Sequence, residues 1–385
     1  GRMTVLHRES SMRVKPRCPH FGVCGGCSLQ HLRSEAQLPA KQKILADNLA
    51  RIGKVEPETW LAPLDGPHWG YRRKARLGVR RIPSKGGVIV GFRERRHSFL
   101  AQLNTCEVLH PAISRLLSDL RLCIAQLSRP DRIPQVEVAV GDNVATLVFR
   151  HVVPLTPADE EILAAFGQQH NIQVMRQPGR PDELVPVWPP QPLPLRYAMP
   201  EFKVELEFAP TDFVQVNTEL NRKMVSRALE LLDLQAGDTV LDLFCGLGNF
   251  TLPIARRAAQ VLGVEAEETL IAKARENARH NAITNTEFRT ADLHAEHGQN
   301  PWGEDHFDKW LLDPPRTGAI EVVKRLPESG GPRRIVYVSC NPATLARDSD
   351  VLVHAKGYRL RSAGVMDMFP QTSHVEAMVL FERGD

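Results

Sequence analysis

A cysteine at the end of one strand is the residue best placed for covalent chemistry. In Val336-Tyr-Val-Ser-Cys-Asn-Pro-Ala343, β-branched and aromatic residues predict a short buried strand from Ile335 to Val338. Asn341-Pro342 ends it, because proline lacks an N–H for the ladder and restrains the residue before it. Cys340 therefore sits where a strand opens into a loop, and in open α/β sheets ligands bind at the carboxyl ends of strands. On these residues alone the thiol serves equally as a nucleophile or as a small buried hydrophobe. Near the C-terminus, Asp367-Met-Phe-Pro-Gln-Thr-Ser-His374-Val-Glu376 leads into an apolar strand. A carboxylate there is ordinarily a surface residue. If the last strand returns to the sheet beside Cys340, Glu376 becomes a general base.

A second motif, Val240-Leu-Asp242-Leu-Phe244-Cys-Gly246-Leu-Gly248-Asn249-Phe250, reads as strand, glycine turn and helix start. Glu265 closes the next strand, where an acid can bond ribose hydroxyls. The loop is Gly-x-Gly-Asn and lacks the third glycine of a pyrophosphate-binding turn, which favours S-adenosylmethionine over NAD. Asp292 ends the third strand and Asp313-Pro-Pro-Arg316 follows the fourth. Thiol, carboxylate and methyl donor together point to one reaction. Carbon 5 of uracil is too weak a nucleophile to take a methyl directly. Addition of the Cys340 thiolate to carbon 6 makes an enolate, carbon 5 is methylated, and Glu376 removes its proton. Asp313 and Arg316 are placed to hold the base or its enolate, and a uracil in folded RNA must first be flipped out.

A third group is Cys18-Pro-His-Phe-Gly-Val-Cys24-Gly-Gly-Cys27. Three thiols in a turn-rich segment hold zinc or an iron–sulfur cluster, and the spacing does not decide between them. Cys106 is the best fourth ligand; Cys123, in an apolar helical stretch, reads as core.

The elements that must carry these groups are legible in outline. From Thr239 onward, strands (Thr239–Phe244, Val261–Val264, Glu287–Thr290, Phe307–Leu312, Ile335–Val338 and two more) alternate with helices such as Glu267–Asn281. That pattern predicts a doubly wound, mostly parallel Rossmann-like sheet. An amphipathic helix from about Thr218 to Leu232 precedes it, after Phe213-Val-Gln-Val-Asn217. Residues 70 to 150 read as a small antiparallel β region with one helix, Pro111 to Leu127. A helix over Pro39 to Ile52 carries Ile44, Leu45, Leu49 and Ile52 on one face, with Gly53 as its cap. The prolines between 176 and 200 predict an irregular connection near a domain boundary. The resulting division is an N-terminal tail 1–17, a cysteine loop 18–30, a helical segment 31–57, a β-rich central domain 58–208 and a catalytic domain 209–385.

The chain has 385 residues, 42% of them apolar, and a net charge of +4. No apolar run reaches the roughly 18 residues of a membrane span and no secretory signal is visible. Seven unevenly spaced cysteines argue against a disulfide scaffold and for a reducing, cytoplasmic setting. Between Tyr71 and Arg96 stand ten Lys/Arg and a single acid, Glu94. With Tyr71, Phe92 and Phe99 interleaved, this stretch reads as an RNA-binding surface.

Taken together, Cys-Pro-His-Phe-Gly-Val-Cys-Gly-Gly-Cys, Trp-Gly-Tyr-Arg-Arg, Phe-Val-Gln-Val-Asn, Leu-Asp-Leu-Phe-Cys-Gly-x-Gly-Asn-Phe, Ser-Cys-Asn-Pro-Ala-Thr-Leu-Ala-Arg-Asp and Met-Phe-Pro-x-Thr-x-His-x-Glu resemble the RNA uracil-5-methyltransferase family. The nearest branch is the one that carries a [4Fe-4S] cluster and modifies 23S rRNA, at position 1939. The likeness runs from Cys18 to the end. It implies that Cys18, Cys24, Cys27 and Cys106 ligate the cluster. It implies cofactor contacts at Gln215, Phe244, Asn249, Glu265, Asp292 and Asp313, with Cys340 as nucleophile and Glu376 as base. Arg76, Phe213 and Arg316 fall at positions near the substrate base. Two departures stand out. Such proteins start with a small β-barrel RNA-binding module, whereas only 17 residues precede Cys18 here, so the module is expected to be absent. Asp313-Pro-Pro also replaces the usual Asp-Pro-Ala. Rival readings are uracil-5 methylation elsewhere, at 23S position 747 or in tRNA, methylation of an exocyclic amine, for which Asp-Pro-Pro is a near match, and an iron–sulfur RNA-binding protein with a vestigial catalytic domain.

Overall fold

The computed structural model describes residues 10–83, 87–179, 183–296, 300–303, 305–328 and 330–384; Lys85 of the basic stretch and the first nine residues of the expected tail lie outside them. The chain forms two compact units. One holds the chain up to Ala40, Pro67–Leu193 and Phe369–Ser373; the other holds Lys41–Gly66, Pro194–Met368 and the chain from His374.

These boundaries differ from the linear division read from the sequence. Residues 41–66 and 194–208 join the catalytic unit because they complete it. Thr59–Trp60 pairs in parallel with Ser362–Ala363. Strands Leu195–Met199 and Val204–Phe208 form a hairpin, whose backbone is bonded by the Asn277 and Asn281 side chains of the helix Glu268–His280.

The catalytic unit is built on an eight-stranded sheet. Its order is Thr59–Trp60, Arg359–Met366, Glu376–Glu382, Arg334–Ser339, Lys309–Leu312, Thr239–Leu243, Gln260–Glu265 and Thr286–Thr290. From Arg334–Ser339 to Thr286–Thr290 every pairing is parallel. These strands are unbroken apolar runs such as Trp310-Leu-Leu312 and Ile335-Val-Tyr-Val338, all buried, as expected for a sheet covered on both faces. The strand Glu376–Glu382 runs antiparallel to both neighbours.

The other unit holds a six-stranded sheet ordered Gly87–Gly91, Lys74–Ile82, Gln135–Val140, Ala145–Arg150, Gln173–Gln177 and Val185–Trp188. It is mixed rather than purely antiparallel: Ala145–Arg150 and Gln173–Gln177 are parallel, linked by a helix Pro157–His170 that the apolar pattern does not announce. Its signal lies in the cap. Thr156 and Asp159 form a capping box with Pro157 in the first turn. The expected helix Pro111–Leu127 is two, Pro111–Ser114 and Leu117–Gln126. The proline-rich stretch is not irregular throughout. It contains Val185–Trp188, an edge strand that tolerates Pro186, and Leu195–Met199.

The first helix runs Ser34–Asn48, with Pro39 inside it, and continues as a π-helical turn Leu49–Gly53. Leu45 and Leu49 are buried, but Ile44 and Ile52 are 43% and 45% exposed. The buried stripe is Gln37, Lys41, Leu45 and Leu49, one residue every four; half of it is polar, which hides it from an apolar pattern. The left-handed cap is Lys54. Gly53 is small for another reason: a Cβ there would lie 2.7 Å from the Ala346 carbonyl. Leu45→Ala should therefore cost about 2–4 kcal/mol, whereas Ile44→Ala should stay within about 0.5 kcal/mol. Denaturant titration of the two variants reads the difference, and equal losses would return Ile44 to the core.

Candidate active site and cysteine cluster

The strand Arg334–Ser339 ends one residue before Cys340, and the helix Pro342–Asp350 starts two residues after it. Asn341 caps that helix by accepting a bond from Ala343 N, with Pro342 in the first turn. The Ser339 hydroxyl accepts from Asn341 N at 3.1 Å. Cys340 thus occupies a tight strand-to-helix elbow, half-buried rather than enclosed.

The helix also holds the loop that follows Asp313. Asn341 Nδ2 and Thr344 Oγ1 donate to the Arg316 carbonyl at 3.0 and 3.2 Å. Arg347 donates to the Thr317 carbonyl. Asp348, fully buried, accepts from Ala319 N and the Tyr337 hydroxyl, each at 2.7 Å. Gly318 has φ +79°, and a Cβ there would lie 2.7 Å from the Asp348 carboxylate. The segment Arg316 to Ala319 is thus held against the helix that follows Cys340.

Glu376 arrives by register. The last strand pairs Ala377 with Ser339, so the residue before Ala377 stands level with the residue after Ser339. Antiparallel direction puts the start of this strand at the carboxyl end of its neighbour. That return is the condition on which a role for Glu376 as base depends. His374, to which the sequence motif assigns no role, lies 2.9 Å from the Glu376 carboxylate through Nε2. Nearby, Lys41 and Asp367 form a buried ion pair at 2.6 Å.

The groups act on one another. Burial, then the Glu376 and Asp313 charges, push the Cys340 thiol up to about 11, while Arg316 pulls it down. Burial raises Glu376, opposed by its bond to His374 and by Arg316 and Lys41. Burial raises Asp313 well above the carboxylate range, helped by Glu376 and Asp242.

Asp242 is a site residue that the sequence pattern does not single out. It is fully buried in mid-strand; its Oδ2 accepts from Thr251 Oγ1 at 2.5 Å, and its Oδ1 has no hydrogen-bond partner among the described residues. Burial and the Glu265 charge lift it to about 7 against the Thr251 bond. Its one signal is an acid inside an otherwise apolar strand run.

Of the cofactor residues implied by resemblance, Phe244 stands just past its strand at φ +66°, followed by Gly246 at +53° and Gly248 at +92°. Glu265 accepts from Gly246 N at 3.2 Å and Ala266 N at 2.7 Å. Asp292 is exposed and accepts from His294 N, and the His294 ring lies 5.5 Å from that of Phe244. Asn249 is held by Tyr197 and by a reciprocal pair of bonds with Asn221. Gln215 is half-buried in the loop before the helix Thr218–Leu232. In that loop Phe213 is 75% exposed. Arg316 is exposed. Arg76 belongs to the other unit, exposed on the strand Lys74–Ile82 and 3.4 Å from Glu137.

In that other unit the four cysteines gather. Cys18, Cys24, Cys27 and Cys106 line one pocket with Phe92. Burial, then Cys106, Cys24 and Cys18, push Cys27 up to about 12. Burial, then Cys18 and Cys24, push Cys106 up to about 11. Cys24 is raised by burial and by Cys18. Donors already face the sulfurs: Gly26 N lies 3.4 Å from Cys24 Sγ, Gln30 reaches Cys27, and the Val108 and Leu109 amides reach Cys106. Cys123 is buried in the helix Leu117–Gln126, a core residue as expected.

A parallel doubly wound sheet with a glycine turn after its first strand and acids past the ends of the next ones defines the catalytic unit as that of an S-adenosylmethionine-dependent methyltransferase. The model of the tRNA (Uracil-5-)-methyltransferase family matches residues 198–300 and 302–384. A 23S rRNA (uracil(1939)-C(5))-methyltransferase, RlmD, of Thiobacillus denitrificans is 55% identical over 97% of this chain and 87% of its own. RlmD of Aromatoleum aromaticum is 53% identical over 99% of this chain and 88% of its own. The crystal structure of Pyrococcus abyssi tRNA (uracil-54, C5)-methyltransferase in complex with S-adenosyl-L-homocysteine superposes with TM-score 0.75 at 26% identity, covering 98% of this chain and 88% of that one. The chain belongs to the RNA (uracil-5)-methyltransferase family.

At about 11, the Cys340 thiol is only about one part in a thousand ionised at pH 8. Removing the neighbouring negative charge lowers it, so Glu376→Gln should speed iodoacetamide labelling of Cys340 severalfold at that pH. Arg316→Gln should slow it. Peptide mass mapping follows the rate, and an unchanged rate in Glu376→Gln would separate the two groups.

Proposed function

We propose that the protein methylates carbon 5 of a uracil in 23S rRNA, at position 1939, using S-adenosylmethionine. The observation that carries the proposal is the convergence of Cys340, Glu376 and Asp313 at neighbouring strand ends, together with relatives named for this reaction.

The residues fit the methyl donor. Glu265 sits where a carboxylate meets ribose hydroxyls, Asp292 offers an acceptor to an exocyclic amine, Phe244, Asn249 and Asp313 follow the same strand ends, and Gln215 of the loop before the helix Thr218–Leu232 completes the set implied by resemblance. The acid-rich cleft, with the unpartnered Asp242 Oδ1 beneath it, suits a cation and not a pyrophosphate. S-adenosylmethionine, when bound, supplies the electrophilic methyl that carbon 5 takes.

As the thiolate, its proton lost to solvent, Cys340 bonds through sulfur to carbon 6 of the flipped uracil, making carbon 5 an enolate-type nucleophile. Asp313, whose carboxyl burial raises well above its ordinary range, holds the base together with Arg316. Phe213 offers a stacking face, and Arg76 a phosphate or base contact. Once carbon 5 carries the methyl group, Glu376 takes the carbon-5 proton, the carbon 6–sulfur bond breaks, and the thiolate is restored. His374, bonded to Glu376, orients that carboxylate.

The four cysteines fit a [4Fe-4S] cluster. Cys24, Cys27 and Cys106, raised by burial and by neighbouring sulfurs, would be relieved by a cationic metal core, and amide donors at the sulfurs are the usual surroundings of such a cluster. The methyl-transfer reaction includes no redox step, so the cluster is structural. Reduced cluster thiols and a free nucleophile suit the cytoplasm.

Incubation with labelled methyl donor and unmodified large-subunit rRNA, followed by mapping of the labelled nucleotide, tests the function; label on any atom other than a uracil carbon 5 overturns it. Cys340→Ala should abolish transfer, which amine methylation would survive. Glu376→Gln should accumulate a covalent protein–RNA adduct on denaturing gels, absent from the Cys340→Ala, Glu376→Gln double variant. Cys24→Ser should lose visible absorbance, rRNA affinity and thermal stability of the β-rich unit together; intact folding and affinity without the cluster would remove its structural role.

A further inference from the structure

The flank of the cysteine loop holds a basic pocket that the reaction does not use. Arg13, Lys15, Phe21, His31 and Arg95 line it, and its described lining contains no acid. Three segments supply these side chains, and each is tied to the next by backbone bonds. Val14 N donates to the His31 carbonyl at 3.0 Å, and Arg33 N to the Met12 carbonyl at 2.9 Å. Phe21 N donates to the Cys18 carbonyl, and Arg95 N to the Val23 carbonyl at 2.7 Å. The rings of Phe21 and His31 lie 5.8 Å apart, tilted by 38°.

Arg95 is shared with a second depression lined by Arg72, Arg93, Arg96 and one acid, Glu94. There the Arg72 guanidinium lies over the Phe92 ring at 5.4 Å. Two cationic hollows, each with an aromatic face and joined through one arginine, form a track and not a single-ion site. Flexible single strands suit such a surface, since bases stack on the rings while phosphates meet the cations.

We propose that a single-stranded stretch of the substrate RNA, away from the target uracil, docks here: one base against Phe21 and His31, its flanking phosphates on Arg13, Lys15 and Arg95. The site deepens the rRNA reading above and rests on it. It also gives the cysteine cluster a task, since Phe21 and the Val23 anchor of Arg95 lie within the loop the cluster would hold.

Binding of an unmodified 23S rRNA fragment, measured by filter retention across a salt series, tests this on the full chain with its cluster. Arg13 and Lys15 are exposed, and thermal melting of the variants checks that the fold is kept. The double variant Arg13→Gln, Lys15→Gln should flatten the salt slope by about 1.4, at about 0.7 for each single-strand phosphate no longer neutralised. It should raise KM for RNA roughly tenfold at about 0.15 M salt, with kcat, KM for the methyl donor and cluster absorbance unchanged. Phe21→Leu should raise KM for RNA severalfold without changing the salt slope. The exchanged pair Arg13→Lys, Lys15→Arg should retain wild-type slope and KM. An unchanged slope and KM in the double glutamine variant overturns the proposal. So does an equal loss in the exchanged pair, which would make the role one of packing. Wild-type protein that binds RNA with this slope but transfers no methyl refutes the function and leaves the docking site standing.

Discussion

One strand running against its neighbours makes the site possible. In the parallel part of the sheet all carboxyl ends face one way, and they present Asp313 and Cys340 from adjacent strands. A further parallel strand would deliver only its own far end to that rim. The strand Glu376–Glu382 is antiparallel, so it begins where its neighbour finishes, and its pairing of Ala377 with Ser339 fixes Glu376 beside the Cys340 elbow. A one-residue slip would turn every side chain of the strand to the opposite face. Ala377 to Phe381 are all buried, so a slip would have to repack both faces of the strand, and the apolar core thereby fixes the position of Glu376.

The loops beyond the strand ends are constrained just as tightly, by polar groups. Asp348 is the centre: it ties the loop after Asp313 to the helix after Cys340 and takes the Tyr337 hydroxyl from the strand between them. Buried charges are costly unless their hydrogen-bonding capacity is used, and here several partners use it. The same logic accounts for Lys41 and Asp367, which are buried together and add a positive charge within reach of Glu376.

What is legible in the sequence follows from these forces. Parallel buried strands announce themselves as apolar runs, and the catalytic sheet can be read from them within a residue or two at each end. Cys340 is legible because Asn-Pro marks the break after it. The first helix is misplaced by pattern because its buried face combines Gln37 and Lys41 with Leu45 and Leu49, a stripe that only specific polar partners can bury. The helix Pro157–His170 escapes the apolar pattern although its capping box is written in Thr156 and Asp159. The division into units cannot be read linearly: Thr59–Trp60 pairs with a strand some three hundred residues later, and no local pattern encodes such a partner. Asp242 stays hidden among its apolar neighbours because an acid in a buried strand looks like noise until its surroundings are known.

The acids of the catalytic unit form a graded series. Glu265 raises Asp242, Asp242 raises Asp313, and Asp313 with Glu376 raises Cys340. Burial is the larger cause of each shift, and each neighbouring acid adds a like-charge penalty in a medium that screens poorly. Arg316 and Lys41 offset it only in part. A cleft so arranged raises the Cys340 thiol and so slows its oxidation or alkylation. It is also short of positive charge, and a sulfonium carries the charge it lacks. A positive ligand lowers the ionisation cost of every acid it faces, and so a bound sulfonium would offset the charges that raise Cys340.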